Sequence, residues 1–100
     1  MRLSLETKEA IKNFFGNKRR LSFVERCGSL VDGSYLEEDI SVEEYPSVER
    51  FIREVEETVE GFEGREIYVK VSDRGVEVRG YNPGTRDGYA FSWNIERNQE

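Results

Sequence analysis

Between Val48 and Phe62 the apolar residues Val48, Phe51, Ile52, Val55, Val59 and Phe62 recur at intervals of three and four, the spacing that lines side chains along one stripe of an α-helix. Ser47 is placed to cap the first turn and Gly61 to end the last. The remaining positions, Glu49, Arg50, Arg53, Glu54, Glu56, Glu57 and Glu60, are charged, so the pattern predicts a surface helix laid on a sheet. The period then changes to two. Ile67, Val69 and Val71 alternate with polar residues, Asp73-Arg74-Gly75 turns the chain into Val76 and Val78, and Tyr89, Phe91, Trp93 and Ile95 mark a third strand. One register fits all three strands. Val71 faces Val76, Val69 faces Val78 and Ile67 faces Gly80 on the buried side, and Lys70 faces Glu77 and Tyr68 faces Arg79 outside. Phe91 then falls opposite Val78, and Tyr89 opposite Gly80, where its ring covers a position without a side chain.

The N-terminal half is less regular. Thr7 reads as the cap of a shorter helix with Ile11, Phe14 and Phe15 on its apolar face and Gly16 as its stop, or Leu3 and Leu5 extend a preceding strand. Leu21, Phe23, Val24, Cys27, Leu30 and Val31 suit one or two strands with a bulge or kink at Gly28. Asp32-Gly33 offers a tight turn. Leu36 to Glu44 is either a polar-faced edge strand or a loop. Phe14-Phe15-Gly16 before Leu21 to Val24 resembles Val59 to Phe62 before Ile67 to Val69, as a degenerate helix-hairpin repeat would. The expected fold is α+β: antiparallel sheet, including a C-terminal three-stranded meander, covered by one long and one shorter amphipathic helix. At 100 residues the chain forms one domain, residues 1–100.

Charge changes this picture. Met1 to Val31 carries seven basic residues against three acids, Asp32 to Glu63 carries twelve acids against Arg50 and Arg53, and the rest is balanced, giving a net −6. The chain is thus polarised, with a basic stretch followed by a strongly acidic one. Glu outnumbers Asp, Arg outnumbers Lys, and Gln99 is the only glutamine, a composition expected of a thermophile. Cys27 stands alone, which excludes an intrachain disulfide and a zinc knuckle and points to a reducing compartment. No apolar run is long enough to span a membrane and no signal-peptide stretch opens the chain, so a cytoplasmic location is expected.

The chemistry on offer is limited. Without histidine the chain lacks the usual general base, the histidine-paired nucleophiles and imidazole metal ligands. It also lacks a phosphate-binding glycine loop and a dinucleotide fingerprint. Glu37, Glu38, Asp39, Glu43 and Glu44 are weak candidates for a hard cation, and a solvated edge that discourages strand pairing explains them better. The loop Asn82 to Gly88 carries Thr85, Arg86 and Asp87 and reads first as a chain reversal. Lys18-Arg19-Arg20 beside Phe14 and Phe15 is a weak nucleic-acid pattern, set against the net negative charge. Cys27 reads as a buried, inert thiol, and Trp93 as core.

Two readings follow. In the first, the chain is a non-enzymatic interaction protein, an obligate homodimer presenting Glu37, Glu38, Asp39, Glu43, Glu44, Glu54, Glu56, Glu57 and Glu60 to a basic partner. One helix and a three-stranded meander leave sheet edges and a second apolar helix to cover, which a sheet shared between subunits would do. The alternative is a small carboxylate-based enzyme, or an anion- or metal-binding domain, using the Asn82 to Gly88 loop with Arg86, Asp87 and Tyr89, or the Glu37 to Glu44 cluster. Neither reading calls for an organic cofactor, and neither involves a membrane. In size, in its Glu-rich helix from Val48 to Glu60 and in its valine-rich meander from Ile67 to Ile95, the chain is similar to small acidic α+β orphan proteins of thermophilic archaea. Some proteins of that kind assemble as intertwined homodimers, and the resemblance assigns no activity.

Overall fold

Pro46 and Ser47 release the chain from an extended strand into helix α2 (Val48–Gly61), where the Ser47 hydroxyl accepts the Arg50 N–H at 3.2 Å. Its predicted stripe is buried: Phe51, Ile52, Val55, Val59 and the following Phe62 all enter the core. The computed structural model describes residues 3–16, 20–30 and 33–95, and for Ser34, Asp39 and Ile40 the backbone alone. Helix α1 spans Leu5–Phe15 and begins earlier than Thr7 predicts, because Ser4 is the cap. The Ser4 hydroxyl accepts the Thr7 N–H at 3.1 Å and donates to the Thr7 hydroxyl at 2.9 Å, so Thr7 is the partner of the cap. Leu3 packs on the core and Leu5 opens the helix, so neither extends a strand. Gly16 ends α1 as expected, donating its N–H to the Lys12 carbonyl.

Among the described residues five strands, β1 (Arg20–Ser29), β2 (Ser34–Glu44), β3 (Glu66–Val71), β4 (Gly75–Tyr81) and β5 (Asp87–Ile95), form one antiparallel sheet in the order β2-β1-β5-β4-β3. The meander register holds at every pair read from the sequence: Val71 with Val76, Lys70 with Glu77, Val69 with Val78, Tyr68 with Arg79, Ile67 with Gly80, Phe91 with Val78 and Tyr89 with Gly80. One detail differs. The gap above Gly80 is filled by Phe62, whose ring would lie 2.7 Å from a Cβ placed there, and which stacks on Phe91 at 5.5 Å. Tyr89 is instead capped by the Arg65 guanidinium, 5.0 Å from its ring centre.

Leu36 to Glu44 is the edge strand β2, not a loop. The register shifts between Phe23 and Val24, whose partners Ser41 and Asp39 skip Ile40, and it runs unbroken through Gly28. The expected kink at Gly28 is therefore a bulge on β2, and each face of β2 changes hands at that point. Of the predicted Asp32-Gly33 turn, Asp32 lies outside the described residues. The helix-hairpin repeat is not a repeat in space, since β1 follows α1 into the sheet interior whereas β3 follows α2 to its edge.

Both helices lie on one face. Phe51, fully buried, has ring neighbours in Phe15 (5.4 Å), Tyr45 (5.1 Å), Trp93 (5.8 Å) and Phe14 (6.4 Å), so it joins α1, α2 and β5. Val76, Val78 and Leu21 close the same core. The chain thus covers its own second helix, which removes one of the two grounds for expecting a dimer. The shortest principal extent, 18 Å, holds one sheet and one helix layer, given about 10 Å per layer. Among the described residues, no helix lies on the other face of the sheet.

Candidate functional site

Residues opposite each other on neighbouring strands share a face, so the register writes out the open face in rows. One row runs Glu37, Arg26, Ala90, Arg79, Tyr68, and the next Val24, Ser92, Glu77, Lys70. On the other side lie Tyr35, Gly28, Gly88, Tyr81 and Glu66. Central strand β5 contributes only Gly88, Ala90, Ser92 and Asn94, flanked by long side chains from β1 and β4.

Those small residues permit a bridge over the top. Strands β1 and β4 are about 10 Å apart, with β5 between them. Arg26 crosses this gap, donating from Nη1 to Glu77 Oε2 at 3.0 Å and from Nε to Glu37 Oε2 at 2.5 Å. The second Glu77 oxygen accepts Arg79 Nε at 2.7 Å, and Arg79 Nη1 donates to the Tyr81 hydroxyl at 3.0 Å. Tyr81 meets Tyr68 edge to face at 5.6 Å, and Arg26 lies 5.7 Å from the Tyr35 ring centre. Val24, Ala90 and Ser92 are buried beneath. Partial burial opposes the Arg26 charge, but the hydrogen bond to Glu37 and the charges of Glu37 and Glu77 outweigh it and raise its pKa. The Arg79 pKa is raised chiefly by the Tyr81 hydroxyl and by Glu77, against burial. Both guanidiniums are fixed cations.

Beside this network lies a depression of about 470 Å³ lined by Glu66, Tyr68, Lys70, Glu77, Arg79, Tyr81, Thr85 and Arg86. A smaller one of about 160 Å³ adds Arg26, Arg74 and Ser92. Between them, five cationic side chains face two carboxylates, Glu66 and Glu77, with a third, Glu37, bonded to Arg26 at their rim. Tyr68 is 56% exposed. Among the described residues no carboxylate stands within 4.0 Å of the Lys70 or Arg86 cationic nitrogens. What the arrangement offers is a rigid, cationic surface with an exposed aromatic ring.

The residues singled out from the sequence are dispersed. Glu37 belongs to the open-face network, whereas Glu38 lies opposite Glu25 on the helix side. Past the bulge, Glu43 accepts from Ser41 at 2.7 Å on the helix side, and Glu44 lies 3.8 Å from Arg20 on the other. Asp39 pairs with Val24 along the backbone. On α2, Glu54 pairs with Arg50 at 3.7 Å and Glu56 with Lys8 at 3.6 Å, while Glu57 and Glu60 are exposed. No group of three or more carboxylate or thiol side chains able to hold a metal ion comes together among the described residues. In the Asn82 to Gly88 loop, Pro83 and Gly84 (φ 74°) form a tight turn closed by Thr85 N–H to Asn82 O at 3.0 Å. Arg86 lines the depression, but Tyr89 points to the helix face, so Arg86, Asp87 and Tyr89 do not share a pocket.

One expectation is corrected. Cys27 is exposed, because it sits with Leu36 (80% exposed) on a corner of β1 and β2 that neither helix reaches. Phe14 and Phe15 are buried against Phe51, so neither can stack on a base, and Lys18 and Arg19 lie outside the described residues. The outer pair Lys70 and Glu77 keeps its register, but the Glu77 carboxylate is taken by Arg26 and Arg79. The bridge from Arg26 to Glu77 escaped sequence reading, which had no partner for β5 beyond β4. Its signal was there: Ala90 and Ser92 are small exactly where a central strand would ordinarily fill its outer face.

No helix among the described residues is long and apolar enough to cross a membrane. Comparison of the chain with protein-family models, curated proteins and solved structures gives no match. Fold and site define a two-layer α+β domain with one open, cationic and tyrosine-bearing sheet face.

Proposed function

We propose that the chain is a non-enzymatic interaction domain that docks an acidic polypeptide segment on the open face of its sheet. The observation that carries this reading is the grouping of Tyr68, Lys70, Arg79, Tyr81 and Arg86 around one depression on a face no helix covers. Tyrosine and arginine are the side chains that binding interfaces concentrate. Arg26 and Arg79 are already held in place by Glu77, so little side-chain freedom is lost when a partner binds. The five-to-three excess of cations, with Glu37 counted beside Arg26, lies within a chain of net charge −6. An acidic segment is therefore attracted to this face and repelled elsewhere, which fixes its orientation. A nucleic acid meets the same overall repulsion and, among the described residues, finds one well-exposed ring to stack on.

Fluorescence anisotropy with a labelled oligo-glutamate peptide at low salt tests the reading. The peptide is expected to bind, and the double variant Arg74→Glu, Arg86→Glu to abolish binding. Unchanged binding by that variant, or no binding by the native chain, contradicts it. Tighter capture of oligothymidylate through the same residues would reassign the face to nucleic acid.

A second reading keeps the acidic surface and a basic partner. It is supported by the last turn of α2, which has no basic residue and leaves Glu57 and Glu60 exposed near the negative end of the helix dipole. Oligo-lysine binding that Glu57→Gln and Glu60→Gln together weaken is its expected result.

A further inference from the structure

We propose that β3 is the edge through which two copies of the chain join, antiparallel and about a two-fold axis at Tyr68, into one continuous sheet. The inference concerns the sheet's edge and does not require the docking reading, although Glu66, Tyr68 and Lys70 line the depression as well. Of the two edges, β2 is guarded against pairing. It carries Glu37, Glu38, Glu43 and Glu44 and skips a residue at Ile40, and two such strands would stack carboxylates and lose register. The other edge, β3, pairs with β4 without a shift from Glu66 to Val71 and reads Glu-Ile-Tyr-Val-Lys-Val. Its backbone is poised for a new strand. Ser72 N–H donates to Gly75 O, and alternation along the ladder then turns Lys70, Tyr68 and Glu66 toward β4 and the N–H and C=O of Ile67, Val69 and Val71 outward.

This edge is complementary to itself. In an antiparallel pair centred on Tyr68, Ile67 of one copy lies opposite Val69 of the other, and these outward-pointing residues exchange four backbone hydrogen bonds. On the open face Glu66 falls opposite Lys70 of the second copy, twice by symmetry, with the two Tyr68 rings side by side between the ion pairs. Every pair is favourable: opposite charges, aromatic with aromatic, and β-branched with β-branched. Helix α1 packs over β3 and β4, so the axis would also bring the two α1 helices to one side of the joined sheet. Leu5 of α1 (74% exposed) and Tyr68 of β3 are two of the four large hydrophobic side chains left in water among the described residues. The two depressions would then meet across the axis as one cationic face.

Sedimentation velocity on the full chain tests this from about 1 to 100 μM. The native chain is expected to sediment as a dimer. Glu66→Lys and Lys70→Glu each place like charges opposite each other twice, and each is expected to weaken dimerisation by about tenfold or more. Mixing the two single variants restores opposite charges in a heterodimer, and the double variant Glu66→Lys, Lys70→Glu restores them in a homodimer. Recovery in both shows that the single variants fold. A monomeric native chain at 100 μM, single variants that dimerise normally, or failure of both rescues would overturn the proposal. Glu66 and Lys70 also line the docking depression, so the docking reading is tested separately, through Arg74→Glu and Arg86→Glu with Glu66 and Lys70 left in place.

Discussion

Replacing Glu77 by glutamine keeps the shape of the side chain and removes the charge that two guanidiniums share. Glu77 is 15% exposed, Arg26 28% and Arg79 34%, with contacts of 3.0 and 2.7 Å. A buried charge-assisted hydrogen bond contributes about 1.5–3 kcal/mol and an exposed ion pair about 0–1 kcal/mol. At one-third exposure each of the two contacts falls near 1 kcal/mol. Glutamine retains a weakened version of one of them and leaves Arg26 and Arg79 repelling each other, so the net loss is about 1.5–2 kcal/mol. Trp93, the only tryptophan and almost fully buried, reports unfolding by its fluorescence. With a urea dependence of about 1 kcal/mol per molar, the midpoint is expected to fall by roughly 1.5 M. A double-mutant cycle with Arg26→Met should return a coupling of about 1 kcal/mol. A midpoint shift below about 0.3 M, or no coupling, would refute the reasoning. The bridge would then be solvent-screened, and the small size of Ala90 and Ser92 would have no cause in it.

Burial, aided by the charges of Glu54 and Glu43 and opposed by the Trp93 indole and Arg50, pushes the Tyr45 phenol up to about 12. Its folded pKa lies above the ordinary value near 10, so its contribution of about 2–3 kcal/mol is complete below pH 10 and lost as pH rises from about 10 to 12. Urea midpoints of the native chain should fall more steeply over that window than those of Tyr45→Phe, and parallel curves would refute the assignment. At Gly88 a Cβ would lie 2.1 Å from the Gly80 carbonyl oxygen and 2.9 Å from Tyr81 Cα. Gly88→Ala must therefore part β4 from β5, at a cost of about 3 kcal/mol seen in thermal melts. A Cβ added at Gly61 would meet no atom within 4 Å beyond its chain neighbours and its own helix backbone, so Gly61→Ala should stabilise by about 0.5–1 kcal/mol. Equal melting of the two glycine variants would contradict the packing described.

The meander was legible in the sequence because each of its strands alternates strictly and only one register pairs Val69 with Val78 and Tyr68 with Arg79 together. The α2 stripe was legible for the same reason, at period 3.6. The N-terminal half resisted because its signals compete locally. Ser4 and Thr7 are both good caps, and the choice falls to whichever lets Ile11, Phe14 and Phe15 reach Phe51. Gly28 suggested a kink, yet the extra residue sits at Ile40, where Phe23 must meet Trp93 (5.3 Å). The site was harder still. Arg26 and Glu77 lie 51 residues apart, and their meeting follows from β1 pairing with β5, a long-range choice that no local pattern encodes.

The claim that the open sheet face is the docking surface is tested most directly by amide chemical-shift mapping of the ¹⁵N-labelled chain during titration with oligo-glutamate. Shifts confined to Tyr68–Val71, Glu77–Tyr81 and Thr85–Arg86, with the outer face of α2 unmoved, are the predicted result. Shifts centred on α2 between Glu49 and Glu60, or none at saturating peptide, would contradict it.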